Sequence, residues 1–367
     1  MIKVIGDKLS EEIVLLISLV LVFMTSFFSF PKLSYIDFKV LISLFNLMVV
    51  ICAFEKLKVL DRIAINILLR HKNQRRVSLV LIFLTFFSAM LITNDVALIT
   101  FVPITLIIAR KAAFNPMKLV IMQTLGANIG SSLTPMGNPQ NLFLLSFYNI
   151  NGIEFFKTTI LFVVLGALWL LLLNYRTTAR ELNFSFDLED VKEKNYIIKI
   201  ILYILLFIFI ILSVFNIVSY YAAFIATVIL VSISDRELLL KIDYFLLVTF
   251  ICFFVIIGNL SHIAVITDYM SSVLSSSSRV YIFSILFSQF ISNVPCSILL
   301  AGFTKSWKEL LLGVNIGGMG TLVASLASVI SYKFYIKEYR DKTYLIKFHK
   351  YNFISLIIFT LIIYFFI

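Results

Sequence analysis

Residues 125–142 read LGANIGSSLTPMGNPQNL, a stretch set between apolar runs of membrane-spanning character that is itself poorly suited to an unbroken helix. Gly126, Gly130, Pro135, Gly137 and Pro139 each weaken or remove a helical hydrogen bond, while Asn128, Ser131, Ser132, Thr134, Asn138 and Asn141 supply polar side chains. At membrane depth an unpaired N–H or C=O costs several kcal/mol, so irregular backbone survives only inside protein or beside a water-filled cavity. The stretch therefore predicts an unwound segment and a binding site. A second stretch, residues 313–328, GVNIGGMGTLVASLAS, repeats it, with Gly313, Asn315, Ile316 and Gly317 in the places of Gly126, Asn128, Ile129 and Gly130. A glycine-kinked packing helix would explain either break alone. Two breaks in corresponding halves form a transporter pattern, in which helix N-termini face anions and freed carbonyls face cations.

Composition supports a membrane setting. Of 367 residues, 61% are hydrophobic and 14% charged, more apolar surface than a soluble domain can hide. The net charge of +11 sits in short loops between apolar runs rather than in a stripe, so it reads as a topology signal and not as a nucleic-acid surface. Cys52, Cys252 and Cys296 lie inside apolar segments without disulfide or metal spacing. The first apolar run, residues 13–30, lacks a small-residue cleavage site and is followed by many similar runs, so a spanning helix is expected rather than a removed signal.

Taken in order, residues 1–173 form an N-terminal half with spans at 13–30 and 37–54, a hairpin at 77–109 interrupted by Thr93, Asn94 and Asp95, a broken helix at 117–150 and a span at 154–173. Residues 55–76 interleave Leu and Ile with Lys and Arg, as a surface helix would. A charged linker covers 174–195. The C-terminal half, 196–367, holds spans at 196–214, 217–234 and 243–260, a serine-rich surface segment at 261–278, a hairpin at 279–304 interrupted at Ser292 and Asn293, a broken helix at 308–335 and a last span at 351–367. Between the last two lies a basic loop, 337–350. With a cytoplasmic N-terminus and an external C-terminus, every Lys/Arg-rich segment falls on one side, giving nine spans and two opposed re-entrant hairpins. IDFKVLISLFNLMVVI at 36–51 matches IDYFLLVTFICFFVII at 242–257. The fold class expected is an all-α polytopic membrane protein with an inverted repeat.

Hairpin tips at Thr93-Asn94-Asp95-Val96 and Ser292-Asn293-Val294-Pro295, with breaks at GANIGSSLTPMGNPQN and GVNIGGMGT, give a chain that resembles the ion transporter superfamily of divalent anion/sodium symporters, citrate permeases, arsenite permeases and a sodium/proton antiporter branch. NDVALITFVPIT at 94–105 is most similar to the arsenite-permease-like and uncharacterised anion-permease branches. The resemblance implies that Thr93 and Ser292 take a Ser role and Asn94 and Asn293 an Asn role in binding sodium and a substrate carboxylate. It places unwound binding loops at 126–141 and 315–321, adding Gly126, Asn128, Gly130, Thr134, Gly137, Asn138, Asn141, Asn315, Gly317, Gly318 and Thr321. Sodium would sit at Thr93, Asn94, Asp95 and Asn128, and at Ser292, Asn293 and Asn315. It also implies a homodimer, elevator-like motion and no cofactor beyond a coupling Na+ or H+. At the third tip position Asp95 and Val294 stand where the dicarboxylate symporters have Thr, so a carboxylate replaces a neutral hydroxyl.

Asp95 is the one acidic residue placed deep in an apolar segment, and intramembrane carboxylates are functional by default. Burial disfavours its charge and a bound cation favours it, so it can carry a proton or ligate sodium; capping the second hairpin arm is a compatible role. The absence of HExxH, GxSxG, Walker A and paired catalytic Asp argues against an enzyme or an ATP-driven pump. The function expected is ion-coupled secondary transport of a small anion across the cytoplasmic membrane. A sodium/proton antiporter and a channel are the alternatives.

Overall fold

The computed structural model describes residues 13–182 and 195–367. In the first half, α1 (Ile13–Ser26) and α2 (Phe38–Lys56) precede a short helix, α3 (Val59–Leu68). A hairpin of α4 (Gln74–Ile92) and α5 (Asn94–Lys111) follows, then a broken helix of α6 (Met117–Ser131) and α7 (Pro139–Phe147), then α8 (Gly152–Tyr175). α9 (Tyr196–Val214) and α10 (Tyr220–Ser234) lead into the second series, α11 (Tyr244–Leu260) and α12 (Ala264–Val273). There follow a hairpin of α13 (Ser277–Ile291) and α14 (Asn293–Ala301), a broken helix of α15 (Trp307–Gly317) and α16 (Leu326–Tyr339), and finally α17 (Thr343–Tyr364). Among the described residues the only β pairing is an isolated bridge of Asn73 with Glu181. The linker expected at 174–195 lies for the most part outside the described residues.

The same packing occurs twice. α4 lies along α6 as α13 lies along α15, and α8 and α17 cover α6 and α15 in turn. The second halves of the broken helices cross over: α16 packs on α5 of the first hairpin and α7 on α14 of the second. Outside this unit, α9 and α10 pack on α2, and α1 packs on α11. The chain is thus an all-α inverted repeat in which each hairpin is held by both halves. Leu168, Leu172, Ile197, Ile208 and Ile357 are exposed apolar residues on its outer helices, while Asn128, Asn141, Asn315 and Gln123 are buried within it. Among the described residues five helices, α2, α4, α8, α9 and α17, are long and apolar enough to cross a bilayer. An apolar exterior with polar side chains buried inside identifies a polytopic membrane protein.

Several boundaries differ from the sequence reading. The backbone does not unwind at Gly126; helix α6 persists to Ser131 and the break is confined to residues 132–138. The early glycines serve close packing instead. A Cβ on Gly130 would stand 2.2 Å from the carbonyl oxygen of Phe86 on α4, and one on Gly317 would stand 2.8 Å from Ser288 Cβ on α13. Small residues let membrane helices approach where no hydrophobic effect drives them together. The first hairpin is also longer than the second: its arms have 19 and 18 residues against 15 and 9, with Arg75, Arg76, Arg110 and Lys111 at its open end. The serine-rich segment contains a helix, α12, bent 98° from α11. The basic loop is shorter than expected because α17 begins at Thr343, so Lys347, His349 and Lys350 ride on its first turns.

Beyond the C-terminus of α10, Asp235 draws three helices together. Its carboxylate accepts from Lys56 Nζ at 2.5 Å, Lys199 Nζ at 2.9 Å and Tyr203 Oη at 3.0 Å, joining α2, α9 and α10. Burial pushes the Asp235 carboxyl up, but the hydrogen bonds from Lys56, Lys199 and Tyr203 outweigh it and hold the group below the usual carboxylate range.

Two predictions follow from this packing, both read as thermal stability in detergent. Gly130→Ala should destabilise by about 1–3 kcal/mol through overpacking, whereas Gly126→Ala, whose Cβ would meet its nearest neighbour at 3.4 Å, should be close to neutral; equal effects would refute close packing as the role of Gly130. Asp235→Asn should destabilise the fold by removing the carboxylate that Lys56, Lys199 and Tyr203 all donate to. A depressed native value makes the wild-type advantage full above about pH 4 and lost as pH falls through that value, so an Asp235→Asn deficit that did not shrink in acid would contradict the clamp.

Candidate functional site

The two breaks meet through a pair of crossed hydrogen bonds. Asn138, the N-cap of α7, donates through Nδ2 to Asn315 Oδ1 at 3.2 Å, and Ser325, the N-cap of α16, donates through Oγ to Asn128 Oδ1 at 3.1 Å. Ser325 stands as far beyond Asn315 as Asn138 stands beyond Asn128, so this is one contact made twice across the repeat. Each central Asn also reaches into the opposite break: Asn128 Nδ2 donates to Gly318 O at 3.2 Å and Asn315 Nδ2 to Asn141 Oδ1 at 2.7 Å. All four residues of the crossed pair are buried.

Within the first break, freed groups find partners among nearby side chains. Ser131 and Ser132 hydroxyls donate back to Asn128 O, Thr134 Oγ1 accepts from Gly137 N and donates to Met90 O of the hairpin, and Asn138 Oδ1 caps Asn141 N at 3.1 Å. Asn141 Nδ2 faces three carbonyls, of Ser131, Ser132 and Thr134, at 3.2, 3.4 and 3.1 Å. Gly137 passes so close to Ser131 O that no side chain fits there.

The hairpin tips share one backbone conformation. Thr93 has φ 77° and ψ 149°, and Ser292 has φ 71° and ψ 154°, a region that L residues other than glycine enter at a cost of about 1–3 kcal/mol and that concentrates at functional sites. At the first tip, Asn94 is buried and its Nδ2 donates to Asn128 Oδ1 at 3.1 Å, while its Oδ1 accepts from Asp95 N at 3.0 Å. At the second, Ser292 Oγ and Asn293 N both donate to Ala324 O, at 3.4 and 3.0 Å. Asp95 is not the cap of α5; that position belongs to Thr93, and Asp95 lies in the first turn of the helix, where the helix N-terminus favours negative charge.

Asp95 lines a cavity of about 270 Å³ between α2 and α11 on one side and the first hairpin, first break and α16 on the other. Thr93 and Asn138 line it too, with Glu55, Lys241 and Asp243. Asp95, the one acid deep in an apolar segment, thus shares its cavity with two acids from the ends of α2 and α11, which only the folded chain brings to one space. A second cavity, of about 430 Å³, lies beside Ser292 and is lined mainly by apolar residues of α1, α11, the second hairpin and α16. The chain thus brings Thr93, Asn94, Asp95, Asn128, Asn138, Asn141 and Asn315 together around the first break. Asn315 turns toward that break, while Thr321 donates from Oγ1 to Gln289 O at 2.9 Å. Gly126 packs helices away from this cluster.

Ser325 and Gln289 belong to the site and were missed from sequence. The signal for Ser325 was its offset from Asn315; Gln289 precedes Ser292 by the same interval as Met90 precedes Thr93, and the unlike partner concealed it.

The citrate transporter family matches residues 1–306 of the chain. An uncharacterized transporter of Methanocaldococcus jannaschii is 41% identical over 300 residues, covering 81% of this chain and 80% of its own length. The inner membrane protein YbiR of Escherichia coli is 26% identical over 354 residues, 95% of this chain and 92% of that protein. A Dictyostelium discoideum protein described as a transporter and named arsB is 32% identical over 109 residues, 28% of this chain and 19% of its own length. Two interlocked broken helices, two matching hairpin tips and a match over most of its length agree: the chain is a membrane transporter and belongs to the citrate transporter family.

Proposed function

We propose that this chain is a secondary active transporter that moves a small anion across the cytoplasmic membrane, coupled to H+ or Na+ through Asp95. The observation that carries this reading is the placement of Asp95 at a strained hairpin tip, lining a cavity between α2 and α11 and the crossed broken helices. A carboxylate in such a setting is retained for its charge chemistry. The anion would be held by amide donors and helix N-termini at the breaks, the second halves α7 and α16 both starting there. The hairpins and broken helices would move as one body against a scaffold including α2, α9, α10 and α11, as an elevator, in a homodimer with the N-terminus cytoplasmic and the C-terminus external. In this orientation the cavity beside Asp95 faces the cytoplasm.

A second reading has its own support. Glu55 and Asp243 line the same cavity as Asp95, with Lys241 the sole basic residue among its lining; an acidic surround suits a cation better than an anion. A sodium/proton antiporter would use Asp95 to exchange the two cations with no anion involved. Everted vesicles that recover pH on sodium addition without any added anion would favour this alternative.

Asp95→Asn separates charge chemistry from shape, since the amide keeps the size of the carboxylate and deletes its titration. Gradient-driven accumulation of substrate should vanish while insertion and folding are retained. Any residual exchange should lose its dependence on pH or sodium. Uptake measured across pH and sodium concentration with a panel of candidate anions tests this, and unchanged coupling in Asp95→Asn would remove Asp95 from the mechanism.

A further inference from the structure

The carbonyls released by the second break have a partner that the repeat does not predict. Gln289, one turn before the second hairpin tip, points its Nε2 at Gly317 O at 2.8 Å and Met319 O at 3.1 Å of the break, with Ile285 O of its own helix also 3.1 Å away. Its Oε1 accepts from Thr321 N at 2.9 Å, and its own backbone oxygen accepts from Thr321 Oγ1. The break is wrapped around this one amide. Gly320 turns with φ +106°, and a Cβ there would stand 2.2 Å from Gln289 Oε1. At the matching place in the first hairpin stands Met90, which has no side-chain donor to offer; there Asn141 supplies the amide.

Two carbonyl oxygens of the break, Gly317 O and Met319 O, converging on one point in a low-dielectric interior call for positive charge, from a bound cation or from an N–H. We propose that the amide of Gln289 takes the place of a cation in the second break, so that this half of the protein is closed without binding one. With Asn141 facing the carbonyls of the first break, the exchangeable charge of the transport cycle is confined to Asp95. The corresponding tip position in the second half, Val294, is apolar, so the two halves differ in the same sense at both places. This inference rests on the reading of Asp95 as the coupling residue, but its test does not.

Gln289→Ala removes the amide and leaves the carbonyls and the space. Purified wild type and Gln289→Ala are compared by thermal unfolding in sodium chloride against choline chloride at equal ionic strength. Gln289→Ser, which keeps a small donor, serves where Gln289→Ala does not fold, and Gln289→Leu, which fills the space with methyls, is the control. Sodium should raise the midpoint of Gln289→Ala or Gln289→Ser by roughly 2–4 °C beyond its effect on wild type, and should do nothing further for Gln289→Leu. Folded Gln289→Ala and Gln289→Ser proteins with no added sodium response would overturn the proposal. So would wild-type uptake that rises with more than the first power of sodium concentration. Loss of coupling in Asp95→Asn is read separately, by uptake, so failure of one assignment leaves the other standing.

Discussion

A carbonyl or amide released from a helix at membrane depth has to find its partner inside the protein, and that requirement organises this molecule. Each broken helix frees several such groups. Asn141 and Gln289 collect the carbonyls, Thr134 and Thr321 tie each break to its own hairpin, and Asn138 and Ser325 reach across to the other half. Hydrogen bonds in this setting are costly to leave unmade. The breaks therefore hold hairpins and helices in one unit more by polar satisfaction than by apolar packing, which lipid would supply equally well.

This division separates residues that fix geometry from residues that can meet a transported species. The close contacts of Gly130 with α4 and Gly317 with α13 are backbone-to-neighbour approaches that any side chain would spoil. They fix geometry and carry no selectivity. On the proposed reading, selectivity would come from the few side chains that line the cavity beside Asp95, and these are drawn from elements distant in sequence, with Glu55 ending α2, Lys241 and Asp243 preceding α11 and Asn138 in the first break. A family relationship therefore says less about the transported species than about how it is carried.

Much of the fold was legible in the chain because membrane insertion writes it in long apolar runs, basic loops and helix-breaking residues. The hairpin tips were legible because Thr93-Asn94-Asp95 and Ser292-Asn293 interrupt such runs. The extent of the break was misjudged because a glycine reads alike whether it breaks a helix or admits a neighbour, and only the position of Phe86 distinguishes the two at Gly130. Ser325 and Gln289 were hidden for a different reason. A single Ser or Gln in an apolar helix is common, and its meaning appears only when the opposite break supplies Asn128 or the carbonyls of Gly317 and Met319. Glu55 and Asp243 were passed over because each lies near the end of its span, where charge is ordinarily a matter of topology.

The crossed pair, Asn138 with Asn315 and Ser325 with Asn128, also bears on energetics. A chain whose halves were identical and inverted could exchange their conformations at no net cost, so its two access states would be degenerate and equally populated. Here the halves are not identical: Asn138 answers to Ser325, Asp95 to Val294 and Met90 to Gln289. On the proposed transport cycle, a standing preference for one state over the other would draw on such departures, because every truly matched contact cancels between the two. A difference of about 1.4 kcal/mol distributed over these pairs would be enough to shift the resting population tenfold.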